Sequence, residues 1–387
     1  MPCHTLTMRV LHVGKFWPPY AGGIERSMRE LCVGLAARGI AVDVLAHASP
    51  GHRGRTFDDD GVAVTQMRCL GQVAYTPVSP GFLPELWRQL QRKPDLIHLH
   101  MPNPAAFWAL LLPAARRVPW VVHWHSDIPL AEAPASVRAA YPLYRPWEHA
   151  LLRRATRIIT TSPGYRDASA PLQAWRDKTR VVPLGIAPDD DAPSPVQGGD
   201  LWPGTGLRLL AVGRLSHYKG FDVLLRALAQ TPEIQLLLIG DGECATSLRT
   251  LVADLGLGNR VRLAGAVDDA TRDAAYAAAE LFCLPSIARS EAFGMVLLEA
   301  MRARLPVVSS DVSGSGMHFV LDAGRAGALV PPGDASALAE TLVALAADPA
   351  RRHALANAGH ARWREHFTLD AMTDGVHHVY EEIRGSV

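Results

Sequence analysis

Two doubly wound α/β domains, each a parallel sheet covered by helices, are what this sequence predicts. Three observations carry the prediction. Short β-rich runs alternate with longer amphipathic stretches, the alternation occurs twice, and a Pro-, Gly- and Asp-rich break separates the two series. A length of 387 residues accommodates two or three domains, at about 150 residues each.

In the first series the expected strands are Arg9–Val13, Val42–Ala46, Val62–Met67, Leu96–Leu99, Trp120–Trp124, Arg157–Thr161 and Arg180–Val182. Helix-like segments lie between them at Ile24–Arg38, Pro104–Arg116 and Ser136–Arg154. In the second series the strands are Leu207–Val212, Gln235–Ile239, Arg260–Leu263, Leu281–Leu284 and Pro306–Ser309. The break, Ala187–Gly206, reads APDDDAPSPVQGGDLWPGTG and has no period, as expected of a linker. From about Asp334 the pattern is helical, ending in an Asp370–Arg384 segment, and no tandem repeat is visible. The expected domains are therefore 1–186, joined by 370–387, and 187–369. Ligands of such sheets bind at the carboxyl ends of the strands.

Composition removes several classes. At 48% hydrophobic and 20% charged residues the chain is not disordered. A formal charge of +1 lacks the basic excess of a nucleic-acid binder, so no nucleic-acid partner is expected. That sum hides a split: residues 1–186 hold 22 Lys+Arg and 13 Asp+Glu, and residues 187–387 hold 17 and 25. A first half at +9 suits an anionic partner. The five cysteines are scattered without a CxxC, which fits reduced thiols in a cytosol. The start MPCHTLTMRVLHV lacks the pattern of a secretory signal, and Met8, just before the first strand, is a second candidate start. The longest apolar runs fall far short of a membrane span.

Four groups of residues can carry chemistry. Pro18-Pro19-Tyr20-Ala21-Gly22-Gly23-Ile24-Glu25-Arg26 follows the first strand and opens the first helix, so Gly22 and Gly23 allow backbone amides close to an anion. Neither a Walker A loop nor GxGxxG is present there. Gly213-Arg214 with Lys219-Gly220 follows Leu207–Val212. A planar guanidinium fork and an ammonium five residues apart suit a diphosphate. The chain has only four lysines against 35 arginines, so a lysine within a motif is informative.

The third group runs from Pro285 to Glu299, with amides of Phe293, Gly294, Met295 and Val296 placed at an expected helix start. The helix is expected to run to about Arg304, and Glu291 and Glu299, eight residues apart, lie roughly 12 Å apart along a helix axis. That is wider than the about 5–9.5 Å of a glycosidase carboxyl pair, and it suits the two ends of a nucleotide sugar. The fourth group is His98-Leu99-His100 and His123-Trp124-His125-Ser126-Asp127. Alternate residues share a strand face, but no acidic or cysteine ligands accompany them and HExxH is absent, so no metal is expected. A strand-end histidine there is better read as a hydrogen-bond partner of substrate or leaving phosphate.

Glu291-x-Phe293-Gly294-x4-Glu299 matches the E-x7-E pattern of the retaining GT-B glycosyltransferases. Gly22-Gly23-Ile24-Glu25, Pro183-Leu184-Gly185-Ile186, Gly213-Arg214 with Lys219-Gly220, and Gly240-Asp241-Gly242 follow that family's order. The chain resembles family-4 glycosyltransferases over essentially its whole length. The resemblance implies the GT-B fold, two Rossmann-like domains facing a cleft, with a C-terminal helix crossing back to the first.

It also implies roles. Gly22 and Gly23 would face donor phosphate and acceptor, Arg214 and Lys219 would neutralise the diphosphate, and Glu291 would touch the transferred hexose. The amides of Phe293 to Val296 would bind its hydroxyls and phosphate, Glu299 would hold ribose, and His125 would lie near the anomeric carbon. Tyr20, His100 and Asp127 would line the acceptor side. Ala187 stands where the family often has Asp. WHSDI at Trp124–Ile128 and Ser162-Pro163-Gly164-Tyr165 are similar to bacterial mannosyl- and rhamnosyl-type members that build exopolysaccharide or O-antigen repeats on a lipid carrier. The implied reaction is transfer with retention and without a metal or other cofactor, from a nucleotide sugar, GDP-mannose first, to a saccharide or lipid-diphosphate-linked acceptor.

Leu83–Lys93, LPELWRQLQRK, with Arg153, Arg154 and Arg157, would suit either an anionic membrane surface or an ordinary packed helix. A cytoplasmic protein, peripheral on the inner face of the membrane in the first case, is the expectation. Two other classes stay open: a nucleotide-sugar epimerase of the same architecture, which needs no acceptor, and a non-catalytic nucleotide-sugar-binding protein.

Overall fold

The computed structural model describes residues 8–20, 22–73, 75–188 and 201–385. The choice between Met1 and Met8, Ala21 of the Gly-Gly segment, most of the expected linker and the last two residues lie outside them. The chain divides into two compact units, Met1–Ala187 with Leu369–Val387, and Pro188–Thr368.

Unit 1 contains β1 (Arg9–Phe16), α1 (Gly23–Ala37), β2 (Ala41–His47), β3 (Arg55–Asp59), β4 (Val62–Met67), β5 (Gly71–Val73), β6 (Thr76–Val78) and α2 (Phe82–Leu90). It continues through β7 (Leu96–Met101), α3 (Trp108–Leu111), β8 (Trp120–Trp124), α4 (Ala135–Arg154), β9 (Arg157–Thr160), α5 (Pro163–Ala168) and β10 (Thr179–Val181). Eight strands form one sheet in the order β10-β9-β8-β7-β1-β2-β4-β3, and β5 pairs with β6 apart from it. The order reverses at β1, which lies between β2 and β7, so the crevice for a ligand opens at the carboxyl ends of β1 and β7. Burial on both faces explains the near-continuous apolar runs: Val10, Leu11, Val13, Leu96, Ile97 and Leu99 are all buried.

Unit 2 contains β11 (Leu207–Val212), α6 (Phe221–Leu228), β12 (Ile234–Ile239), α7 (Ala245–Asp254), β13 (Val261–Gly265), α8 (Asp269–Ala278) and β14 (Leu281–Leu284). Then come α9 (Met295–Arg302), β15 (Val307–Ser310), α10 (Met317–Val320), β16 (Ala328–Val330), α11 (Ala335–Ala347) and α12 (Pro349–His366). Its sheet is parallel throughout, ordered β13-β12-β11-β14-β15-β16, and the order reverses between β11 and β14. Aspartates start three of the helices: Asp268, Asp334 and Asp348 accept backbone N–H bonds from the first turns of α8, α11 and α12.

The last helix, α13 (Leu369–Arg384), belongs to unit 1. Arg38 at the end of α1 donates to Asp374 at 2.7 Å and Asp370 at 2.9 Å, and Arg157 and Arg180 both donate to Glu382. Met372, Val376, Val379, Tyr380 and Ile383 are its buried stripe.

Three expectations are corrected. Pro104–Arg116 is not one helix: a 3-10 turn at Pro104–Phe107, the short α3 and a second 3-10 turn at Ala115–Arg117 replace it. Leu112 is extended, as the residue before Pro113 must tend to be. The strand β3 has no counterpart in the sequence reading, because as a polar edge strand, antiparallel to β4, it lacks an apolar run. Glu291 is not helical. Gly294 has φ 86° and α9 begins at Met295, so the helical spacing between Glu291 and Glu299 does not apply.

Candidate active site

In unit 2 the carboxyl ends of β11 and β14, the strands at the reversal, bring the two charged motifs together. The loop after β11 carries Arg214 and Lys219. The loop after β14 carries Ser286 and Glu291. Gly220 has φ 65°, and a Cβ there would lie 2.2 Å from the carbonyl oxygen of Pro285. The absence of a side chain lets the two loops touch, and Ile287 N–H donates to the carbonyl of Tyr218 at 2.8 Å.

In that contact Lys219 and Glu291, both buried, form an ion pair. Ser286 Oγ donates to the same Glu291 Oε2 at 3.1 Å, so the hydrogen bonds to this carboxylate gather on one oxygen. Burial works to lower the Lys219 pKa, but the carboxylate beside it prevails and the net shift is upward. Arg214 differs: its side chain is 67% exposed and it reaches Glu243 at 3.3 Å.

α9 begins at Met295 on Gly294, with no side-chain cap. Its first hydrogen bond is Leu297 N–H to the Gly294 carbonyl, which leaves the Met295 and Val296 amides ahead of the helical ladder. The ring of Phe293 is buried, at 6.0 Å and nearly perpendicular to Phe367, so it is a wedge and its contribution to a ligand is its backbone. Glu299, buried on α9, accepts the hydroxyl of Tyr276 on α8 at 2.9 Å.

In unit 1, β1 leads through Trp17 to Tyr20, whose ring stacks on Phe16 at 4.0 Å. Gly22 and Gly23 are exposed at the uncapped start of α1. A Cβ on Gly22 would lie 2.0 Å from Glu25 Oε2, so the carboxylate occupies the space a side chain would need. Burial raises the pKa of Glu25 and lowers that of Lys15, and the two attract each other.

His125 follows β8 and is buried, with its N–H on the carbonyl of Met101 at 3.0 Å. Its Nε2 is joined to His100 Nδ1 at 3.0 Å, its Nδ1 has no hydrogen-bond partner among the described residues, and burial pulls its pKa down to about 3. It is a neutral imidazole. Asp127 Oδ1 accepts from Trp124 Nε1 at 2.8 Å and Ser169 Oγ at 2.6 Å, and its N–H donates to Tyr165 Oη. Those bonds hold the loop that follows β8. His12, His98 and His100, and again His100, His123 and His125, bring one ring nitrogen each within 4.8 Å of one another.

The sequence singled out Arg214, Lys219, Glu291, Glu299 and His125 but not three residues that contact them in the structure. Ser286 stood inside a quoted motif without a role. Tyr276, alone among alanines in α8, carries the only signal that could have marked it. Glu243 follows Gly240-Asp241-Gly242 and has no distinguishing pattern.

Comparison with known proteins bears on this arrangement. Residues 22–185 match the Glycosyl transferase 4-like domain and residues 200–362 match Glycosyl transferases group 1. The O-antigen chain mannosyltransferase C of Escherichia coli is 31% identical over 377 residues, covering 96% of this chain and 98% of the relative. The D-rhamnosyltransferase WbpZ of Pseudomonas aeruginosa is 32% identical over 364 residues, 93% of this chain and 92% of the relative. Among solved structures, the sucrose-phosphate synthase of Thermosynechococcus elongatus superposes with a TM-score of 0.78 at 25% identity, covering 98% of this chain and 100% of that one. With both family domains in order along a chain of two parallel-sheet units, the protein belongs to the family-4 glycosyltransferases of GT-B fold.

Proposed function

We propose that this glycosyltransferase moves a hexose, mannose from GDP-mannose in the first instance, to a glycan or lipid-linked saccharide in cell-surface polysaccharide biosynthesis, with retention and without a metal. The observation that carries the reading is the buried Lys219–Glu291 pair beside exposed Arg214 and the uncapped start of α9. As the glycosyl–phosphate bond breaks, charge grows on the departing diphosphate. Lys219, held by Glu291, and the Met295 and Val296 amides are fixed donors for it, and exposed Arg214 adds its charge by turning from Glu243. Glu291 keeps Lys219 in place through Oε2 and offers Oε1 to a sugar hydroxyl, while Glu299, steadied by Tyr276, takes the ribose. Neutral His125 contributes hydrogen bonding at the sugar, Gly22 and Gly23 serve donor phosphate and acceptor, and Tyr20 belongs to the acceptor side; His100, buried with both ring nitrogens on other histidines, does not reach an acceptor as its sequence position suggested. The mannosyl and rhamnosyl relatives support the choice of sugar class.

A lipid-linked acceptor would be met at a membrane, and no described helix is long and apolar enough to cross one. The basic residues of α2 and the turn after it are mostly engaged: Arg88 with Glu85 and Arg92 with Asp43, while Arg157 pairs with Glu382. A better surface is the groove of about 680 Å³ between α3 and α4, lined by Leu110, Leu111, Pro146, Trp147, Arg116 and Arg153. Leu143 nearby on α4 is 77% exposed and Trp147 is 42% exposed. Apolar side chains among arginines suit the headgroup region of an anionic leaflet.

A panel of GDP-, UDP- and dTDP-sugars, scored by release of nucleoside diphosphate with and without a saccharide acceptor, tests the reaction. Acceptor-dependent release with GDP-mannose, undiminished by EDTA and giving a product of retained anomeric configuration, is the expected result. An altered free nucleotide sugar would mean an epimerase, and binding without turnover a sensor.

A further inference from the structure

Buried inside unit 1, five histidines on three adjacent strands form a group that the transfer reaction as proposed uses at one member only. His12 stands on β1, His98 and His100 on β7, and His123 and His125 at the end of β8, with His12 opposite His98 and His100 opposite His123 in the sheet register. All five are buried.

Their hydrogen bonds have a single direction. His125 Nε2 meets His100 Nδ1 at 3.0 Å, His100 Nε2 meets His12 Nδ1 at 3.0 Å, and His12 Nε2 meets Tyr380 Oη at 3.3 Å. Tyr380 Oη then meets His98 Nδ1 at 2.5 Å. Ring centroids in both imidazole–imidazole links are 5.3 Å apart, with planes inclined by 13° and 28°. That is the spacing of rings joined end to end through an N–H···N bond. The chain begins at His125 Nδ1 and ends at His98 Nε2, both buried without a partner among the described residues. The nitrogens at each joint face each other at hydrogen-bond distance, which a shared proton accounts for; the two triads of ring nitrogens within 4.8 Å make a bound metal the competing reading that the test below decides.

A neutral imidazole has one donor and one acceptor nitrogen. In an unbroken chain of such rings the choice is collective. Either every ring carries its proton on Nδ1, and His125 presents an N–H at the free end, or every ring carries it on Nε2, and His125 presents a lone pair. Mixed states put two donors or two lone pairs face to face.

We propose that His100, His12 and Tyr380 are positioning residues for the transfer reaction, acting together through this chain to fix which nitrogen of His125 carries its proton. The inference rests on the reading of His125 as a substrate-facing group. An oxygen of the departing phosphate or the sugar at His125 Nδ1 selects the state with all protons on Nδ1, in which His125 donates to it. Tyr380 extends the chain to the last helix, so a residue with no place in the sugar or nucleotide sites bears on the chemistry.

The test is a two-bond ¹⁵N–¹H correlation spectrum of ¹⁵N-histidine-labelled protein, with and without GDP, assigned by single His→Gln variants, alongside steady-state kinetics. In the wild type, His125, His100 and His12 should share one tautomer, protonated on Nδ1 with GDP bound. Tyr380→Phe keeps the ring and removes one link. It should give a mixture of tautomers at His125 and lower kcat about tenfold, the rate equivalent of one hydrogen bond, with KM for the nucleotide sugar unchanged. His12→Asn, which cuts the chain one link closer, should do the same and guards against a packing effect at Tyr380. Mixed tautomers in the wild type, an unchanged His125 spectrum in both variants, or a stoichiometric transition metal in the purified protein would each overturn the proposal. A wild-type protein that binds GDP but transfers nothing would remove the assigned reaction and leave the tautomer result to stand by itself.

Discussion

Lys219 and Glu291, 72 positions apart in sequence, meet as a buried ion pair because Gly220 lets the loop after β11 lie against Pro285. The pair is buried within the fold, whereas Arg214 is exposed, so on the proposed function the first carries both stability and chemistry and the second chiefly chemistry. The two cations should therefore separate under mutation. Lys219→Ala leaves Glu291 buried without its ammonium, at a cost of about 3–5 kcal/mol. Arg214→Ala should change stability by less than about 0.5 kcal/mol. Both should lower kcat by about 10²–10³. Thermal melts with initial rates decide it, and near-normal rates in both variants would remove the diphosphate assignment.

Glu299 depends on Tyr276. Tyr276→Phe withdraws a hydroxyl from a buried carboxylate, costing about 1–3 kcal/mol, and should loosen nucleoside diphosphate binding because one of the bonds that orient Glu299 is lost. Glu299→Ala should weaken that binding further while sparing part of kcat. Titration calorimetry with GDP reads both. Affinity unchanged in Glu299→Ala contradicts the ribose role.

Glu148 on α4 is buried, and burial pushes its carboxyl from 4.5 up to about 7, against the hydrogen bond it accepts from Tyr141 at 3.0 Å. Between those two values the native protein holds a proton that the unfolded chain has released. Stability must then fall as pH rises through the window, by up to about 3 kcal/mol. Glu148→Gln should abolish the fall, so the variant's Tm should match wild type near pH 4.5 and exceed it at pH 7.5. A parallel pair of Tm curves contradicts the assignment.

The groove between α3 and α4 predicts a lipid-charge effect. Arg153→Ala should weaken binding to phosphatidylglycerol-containing vesicles about fivefold, the worth of one basic residue near such a surface. Trp147→Ala should weaken it also with neutral lipid. Flotation of the wild type that is indifferent to lipid charge leaves the groove without this role.

The central strands of both sheets were readable because they are buried on two faces and leave unbroken apolar runs, as in Leu207–Val212 and Leu281–Leu284, whereas the edge strands β3 and β16 were not. The charged motifs were readable because they directly follow those runs. Contacts made across the fold were not. Lys219 and Glu291 were assigned separate tasks, since nothing in either motif announces that Gly220 and Pro285 touch. The helical distance from Glu291 to Glu299 failed at Gly294, whose left-handed conformation starts α9 later than its apolar pattern suggests. Alternation placed His98 with His100 and His123 with His125 on common faces, but the bond from His100 to His12 depends on the pairing of β1 with β7, and Tyr380 enters from a helix 282 positions beyond His98.

The position of α13 has a bearing on synthesis. A ribosome emits the whole of unit 2 between the last strand of unit 1 and the helix that completes it. At about 5–20 residues per second, that delay is on the order of ten to forty seconds. During it the nascent first unit has no counter-charge for Arg38, Arg157 or Arg180 and no hydroxyl between His12 and His98. The part made first is thus the part finished last, and an incomplete translation product carries an assembled unit 2 and an unfinished unit 1.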